Sequence, residues 1–307
     1  MQAIRVQTED GGSYGSYVRP ALPLLPGLVE RIGEEGDTFL VMARLPDDPD
    51  DYVQVLREPG GDAYQLEYRD GSPDRHFQAF VASAAEVVRV MSGWAGREKG
   101  WELGPAWERL EFPAEEAPPP LDPEVEEQLS GIVRGWLRCG YRSRAGLVED
   151  AEDNLVVGDV RPVSRAQAQE LVDRLWRERA AEQGGWLGET DPERLTRAFE
   201  ALEASGITAR ENFTCCRSCG LGEIWADGEE DARGFVFFHS QCTEGAAEGH
   251  DLYLLYGGFE PDGELTASVG REVTAALDAV GLGWLWDGSA HDAIRVTGLD
   301  WRRRLTA

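Results

Sequence analysis

The 307 residues include 57 acidic and 30 basic side chains, a formal net charge of −27, and 42% of them are hydrophobic. A surface this acidic repels phosphate backbones and anionic headgroups, so neither nucleic acid nor a membrane surface is an expected partner, and a basic protein is. Residues 1–117 hold 11 basic and 22 acidic side chains and the remainder 19 and 35, which makes the excess a solvating surface and not an acidic tail.

The length predicts two domains. The N-terminus has no signal-like apolar run, and no later stretch approaches the roughly 18 apolar residues of a membrane span, so the expectation is a cytoplasmic chain. Five cysteines, an odd number, then point to reduced thiols or metal ligands in preference to a disulfide framework.

In chain order, Gly11-Gly12-Ser13-Tyr14-Gly15 matches the G-x-S-x-G pattern. It lacks the core strand before it and the helix after it that a nucleophile elbow needs, and reads as a flexible turn. Residues 20–26 and the Asp-rich stretch 46–51 read as surface connections. Strands are predicted over 37–45, 52–56 and 64–68, the last from strict apolar and polar alternation. Ser83 is positioned to cap a helix whose Val87, Val88, Met91, Trp94 and Ala95 fall on one stripe. Residues 107–112 return as a final strand. Proline density over 113–123 then rules out helix and central strand alike.

After that linker, Asp122-Pro123 opens a helix through Arg138, Ser164 with Gln167 forms a capping box, and Asp191-Pro192 starts a helix that stops at Gly206. Strands follow at about 207–213, 234–239, 252–256, 284–286 and 293–297, with a helix capped by Ser268 between the third and fourth. The predicted class is α+β: an N-terminal α+β domain with an antiparallel sheet (1–112), a Pro-rich linker (113–123), and a C-terminal domain of helices packed on a small mixed sheet (124–307). Proteolysis between Glu115 and Leu121 is expected to leave two folded fragments.

The constellation with evident chemistry is Cys216-Arg-Ser-Cys219 followed, after 19 residues, by His239-Ser-Gln-Cys242. Thiolates and an imidazole in two short pairs suit zinc, which makes Cys216, Cys219, His239 and Cys242 the candidate ligands. Neighbours in an extended segment point to opposite faces, so Cys215 is expected to turn away. Ordinary buried or surface thiols are the bland alternative. A redox-active C-x-x-C is the third, but it needs a helix directly after the motif, and Gly220-Leu221-Gly222 argues against one. In a catalytic version of the metal site, Glu244 would be the general base. His250-Asp251 and His291-Asp292 read as loop or cap residues, not dyads.

The stretches Leu171-Val172-Asp173-Arg174-Leu175-Trp176, Gly206 through Gly220, and Gly234-Phe235-Val236-Phe237-Phe238-His239 carry a resemblance to a bacterial family, the domain of unknown function 6891, over about residues 125–302. The resemblance implies no activity. Related members have His-Gln-Gln-Asp where this chain has His239-Ser240-Gln241-Cys242, so the fourth ligand is the position the resemblance puts in question. The expectation is a binding protein with a basic partner and a structural zinc site. The alternative is a metal-dependent hydrolase or thiol oxidoreductase centred on the same cluster.

Overall fold

Short alternating strands separated by tight turns pair locally, and the N-terminal half is built from them. In the computed structural model, which describes every residue except 1–3, 11–12, 19, 21, 47, 113–116, 229–231, 261 and 306–307, the chain forms two compact units. The first comprises Met1–Leu121, Ser143–Arg177 and Leu305–Ala307, and the second comprises Asp122–Arg142 and Glu178–Arg304. This division and the sequence-based one differ in Ser143–Arg177, which belongs to the first unit although it follows the linker.

The first unit holds β1 (Ile4–Asp10), β2 (Ser13–Val18), α1 (Leu25–Arg31), β3 (Phe39–Arg44), β4 (Asp51–Leu56), β5 (Tyr64–Asp70), β6 (His76–Val81), α2 (Ala84–Ala95) and β7 (Glu108–Arg109). They form a seven-stranded sheet in the order β2-β1-β3-β4-β5-β6-β7, with every neighbouring pair antiparallel. The segment 13–18 is thus a paired strand and not a flexible turn, because each of its residues finds a partner on β1. Gly11 and Gly12 lie outside the described residues, as do Asp47 of the acidic loop and residues 113–116 of the linker.

One face of this sheet packs on α1 and α2. Leu40, Met42, Val53, Val55 and Leu66 meet Val29, Val87, Val90, Met91 and Trp94. Ser83 caps α2 by accepting from the Glu86 N–H, and its buried stripe uses Val90 where the sequence suggested the half-buried Val88. Arg44 lies 3.9 Å above the Trp94 ring and donates to both Asp51 oxygens, which lets a guanidinium sit against the core without an unpaired charge.

The later elements are α3 (Pro123–Cys139), α4 (Arg144–Asp153), α5 (Arg165–Gln183), α6 (Asp191–Ala204), β8 (Ile207–Arg210), α7 (Arg217–Asp227), β9 (Gly234–Phe237), α8 (Ser240–Ala247), β10 (Leu252–Gly258), α9 (Gly263–Ala279), β11 (Gly283–Leu285) and β12 (Ile294–Thr297). Asp122 caps α3 as expected, and the Ser164–Gln167 box precedes α5. The cap of α9 is Asp262 and not Ser268, because the Asp262 carboxylate accepts from the Glu264 N–H and starts the helix six residues sooner. The second unit's sheet runs β11-β12-β10-β9-β8, mixed because β8 and β9 are parallel and the other pairs antiparallel. Among the described residues, no helix is long and apolar enough to cross a membrane.

Residues 235–238, of β9 and the position just after it, alternate between two cores. Val236 and Phe238 join Leu202, Ile207, Leu254 and Val273 under α6 and α9, with Ala246 of α8. Phe235 and Phe237 face the other way, with Leu255 and Ile224 of α7. Consequently α7 and α8 cover opposite faces of the sheet, and both begin beyond the C-terminal ends of the parallel pair. In open α/β sheets such a switch of face opens a crevice at the strand ends.

Candidate metal and thiol centre

Residues 211–216 connect β8 to α7 and run beside the start of α8. Phe213 N–H donates to Phe238 O at 2.8 Å, Ser240 N–H to Thr214 O at 3.1 Å, and the Ser240 hydroxyl to Cys215 O at 3.1 Å. Asn212 and Thr214 hold φ of 49° and 59°. For a β-branched residue such as Thr214 that left-handed geometry costs about 1–3 kcal/mol and persists only where surrounding bonds enforce it. The loop is anchored at its start by Glu211, which accepts from the Tyr141 hydroxyl at 2.7 Å and pairs with Arg303 at 3.0 Å. Burial holds the Tyr141 phenol well above its ordinary range, so it remains a donor to that carboxylate.

The bend at Thr214 and the start of α7 bring three thiols together. The Sγ atoms of Cys215, Cys216 and Cys219 all lie within 4.8 Å of one another. Cys215 therefore does not turn away: Cys216 itself is extended, with φ −155° and ψ 172°, but the left-handed Thr214 before the pair and the helix after it bring the three sulfurs together. Cys216 is the N-cap of α7, and the helix runs straight through Gly220 and Gly222. The expectation that these glycines prevent a helix fails for a packing reason. A Cβ on Gly220 would stand 2.4 Å from Cε2 of Phe237, so glycine is what allows α7 to approach β9, and tertiary contact overrides intrinsic propensity.

The thiols differ electrostatically. The Ser218 hydroxyl, 3.3 Å from Cys216 Sγ, and hydrogen bonds from Cys219 lower the Cys216 thiol to about 6. Hydrogen bonding to Cys215 and Cys216 raises that of Cys219 to about 11, as expected when neighbouring thiols share one negative charge.

Of the four residues expected to converge, Cys216 and Cys219 share the triad, and His239 and Cys242 pair with each other. His239 is the N-cap of α8, and its Nε2 lies 3.4 Å from Cys242 Sγ. The residue is 9% exposed, and Nδ1 is buried without a hydrogen-bond partner. Burial and then the charge of Arg217 lower the His239 pKa, which favours the neutral imidazole that a metal requires. Burial pushes the Cys242 thiol up.

Glu244 is placed elsewhere. It lines a groove of about 300 Å³ with Trp136, Arg138, Cys139 and Glu248, and its charge adds to the burial that pushes Cys139 up to about 11. His250 and His291 are exposed loop residues. In the first unit, His76 is buried but satisfied, with Nε2 at 3.1 Å from Glu67 and Nδ1 at 3.3 Å from Arg69. Sequence reasoning missed Cys215, Ser218 and the Glu211 anchor. Reading Cys215-Cys216-Arg-Ser-Cys219 as a helix start would have found the first two.

Residues 122–305 match the family model described as a domain of unknown function, DUF6891. The chain belongs to this family. The match covers the whole Cys and His region and agrees with the resemblance seen in the sequence, while the N-terminal 121 residues fall outside it. No curated protein and no solved structure matches the chain.

Proposed function

We propose that this DUF6891 protein is a binding protein whose second unit carries a thiolate-rich zinc site formed by Cys215, Cys216 and Cys219. The observation that carries the reading is the mutual approach of three sulfurs within 4.8 Å. Tetrahedral zinc with bonds near 2.3 Å needs sulfurs about 3.8 Å apart, a separation that small side-chain rotations reach from here. Three thiolates leave one position; His239, whose ring nitrogens lie outside the 4.8 Å group of sulfurs, is the donor we assign to it on metal binding, in preference to Cys242. Its buried Nδ1 lacks a partner, and Ser240 next to it is already bonded to Cys215. Zinc held this way would tie the start of α7 to the start of α8 and stiffen the strained loop between them.

A four-ligand site of this kind is closed, which supports binding over catalysis. The −27 surface supports a basic protein partner, since opposite fields speed encounter. The test is elemental analysis of protein purified without added metal, with wild type expected to hold stoichiometric zinc. Cys215→Ser, Cys216→Ser and Cys219→Ser should each lose it, and His239→Ala should weaken it. Wild-type protein that neither contains zinc nor takes it up after reduction would overturn the reading.

A further inference from the structure

Two thiols of the triad form a C-x-x-C pair at the start of α7. Cys216 and Cys219 are the N-cap and third residue of α7, and their sulfurs lie within 4.8 Å. Helix rise and radius set Cα atoms three positions apart at about 5 Å, inside the Cα separation of about 4.4–6.8 Å that a disulfide accepts. Neighbouring Cα atoms are only about 3.8 Å apart, so a Cys215–Cys216 bridge falls short of that range. Both thiols are partly exposed, and the Ser218 hydroxyl stands 3.3 Å from Cys216 Sγ, placed to donate to a thiolate there. The α7 helix that the glycines seemed to forbid is the setting in which a C-x-x-C pair exchanges disulfides.

We infer that Cys216 and Cys219 form a thiol–disulfide exchange pair that reduces a disulfide of another molecule, with Cys215 outside the exchange. The Cys216 thiolate attacks one sulfur of the substrate disulfide, forming a mixed disulfide and expelling the other sulfur as a thiolate. Cys219 gives its proton to that leaving thiolate and attacks Cys216 Sγ. The Cys216–Cys219 disulfide forms, and the second substrate sulfur departs as a thiolate that takes a proton from water. Two electrons pass from the pair to the substrate, which leaves as two thiols. Metal and exchange compete for the same sulfurs, but the metal needs three thiolates and the exchange only two.

The experiment uses the full-length chain, reduced and stripped of metal with a chelator, and oxidised glutathione as the probe. Wild type should release two equivalents of glutathione per chain while gaining a Cys216–Cys219 disulfide, identified by peptide mass spectrometry. Cys216→Ser should abolish the reaction, and Cys219→Ser should stall with one glutathione on Cys216. Cys215→Ser should react like wild type, although it loses zinc if the metal reading holds. The inference is overturned if Cys216→Ser reacts at the wild-type rate, or if Cys219→Ser goes on to a Cys215–Cys216 disulfide. Zinc added beforehand should suppress the wild-type reaction; if it does not, the metal reading falls and the exchange stands.

Discussion

The two sheets of this protein solve the same packing problem with different consequences. In the first unit every neighbouring strand is antiparallel, and the helices named in its core, α1 and α2, lie on one face, so the strand ends carry turns and little chemistry. In the second unit a single parallel pair, β8 and β9, forces a crossover through α7 on one face while α8 leaves on the other. That one change of direction sets two helix starts side by side and gathers Cys215, Cys216 and Cys219 at one end of the sheet. The difference teaches that the site follows from connectivity, and that the residues flanking it are constrained by approach more than by propensity.

The comparison can be broken first at the first unit's core. Trp94 is 1% exposed beneath Arg44, and Trp94→Ala should cost about 3–5 kcal/mol through the cavity and the lost stacking. Denaturant unfolding should show that loss, while zinc content and thiol labelling in native buffer stay at wild-type levels. A change in labelling would mean that the two units are not independent in this respect.

Next comes the approach of α7 to its strand. Gly220→Ala places a methyl against the Phe237 ring and should destabilise by about 1–3 kcal/mol, with faster labelling of Cys219 as the helix start loosens. Gly222→Ala, two residues on, meets nothing within 4 Å and should do the opposite, stabilising by up to about 1 kcal/mol because alanine is the better helix former. Equal effects of the two substitutions would show that helix propensity, and not packing against β9, governs this segment.

The smallest effect leaves stability alone and sharpens the chemistry. In reduced, metal-free protein the alkylation rate of Cys216 should inflect near 6, where an ordinary thiol inflects near about 8.5. The sign follows from the reactive form: the thiolate persists above that pH and is lost as the pH falls through it, so labelling slows only in acid. Ser218→Ala should move the inflection upward. An unchanged profile in that variant would assign the lowered value to the helix start or to Cys219 instead.

The sequence on its own determined the α+β class, most strands of both sheets, and the caps of α2, α3 and α5, because alternation, helical spacing and capping residues act within a few positions of one another. It also singled out Cys216 and Cys219, and the stretches carrying the family resemblance, which are local as well. It could not give β1 and β2, whose pairing depends on β3 joining from thirty residues away, nor the return of Ser143–Arg177 to the first unit. It could not give α7 or the third thiol. Gly220 reads locally as a helix breaker, and only the Phe237 ring on a distant strand turns the absence of a side chain into the condition for the helix. Cys215 joins Cys216 and Cys219 because Thr214 is bent into a left-handed conformation by contacts from α8, and no pattern of residue types reports a bend imposed from another element.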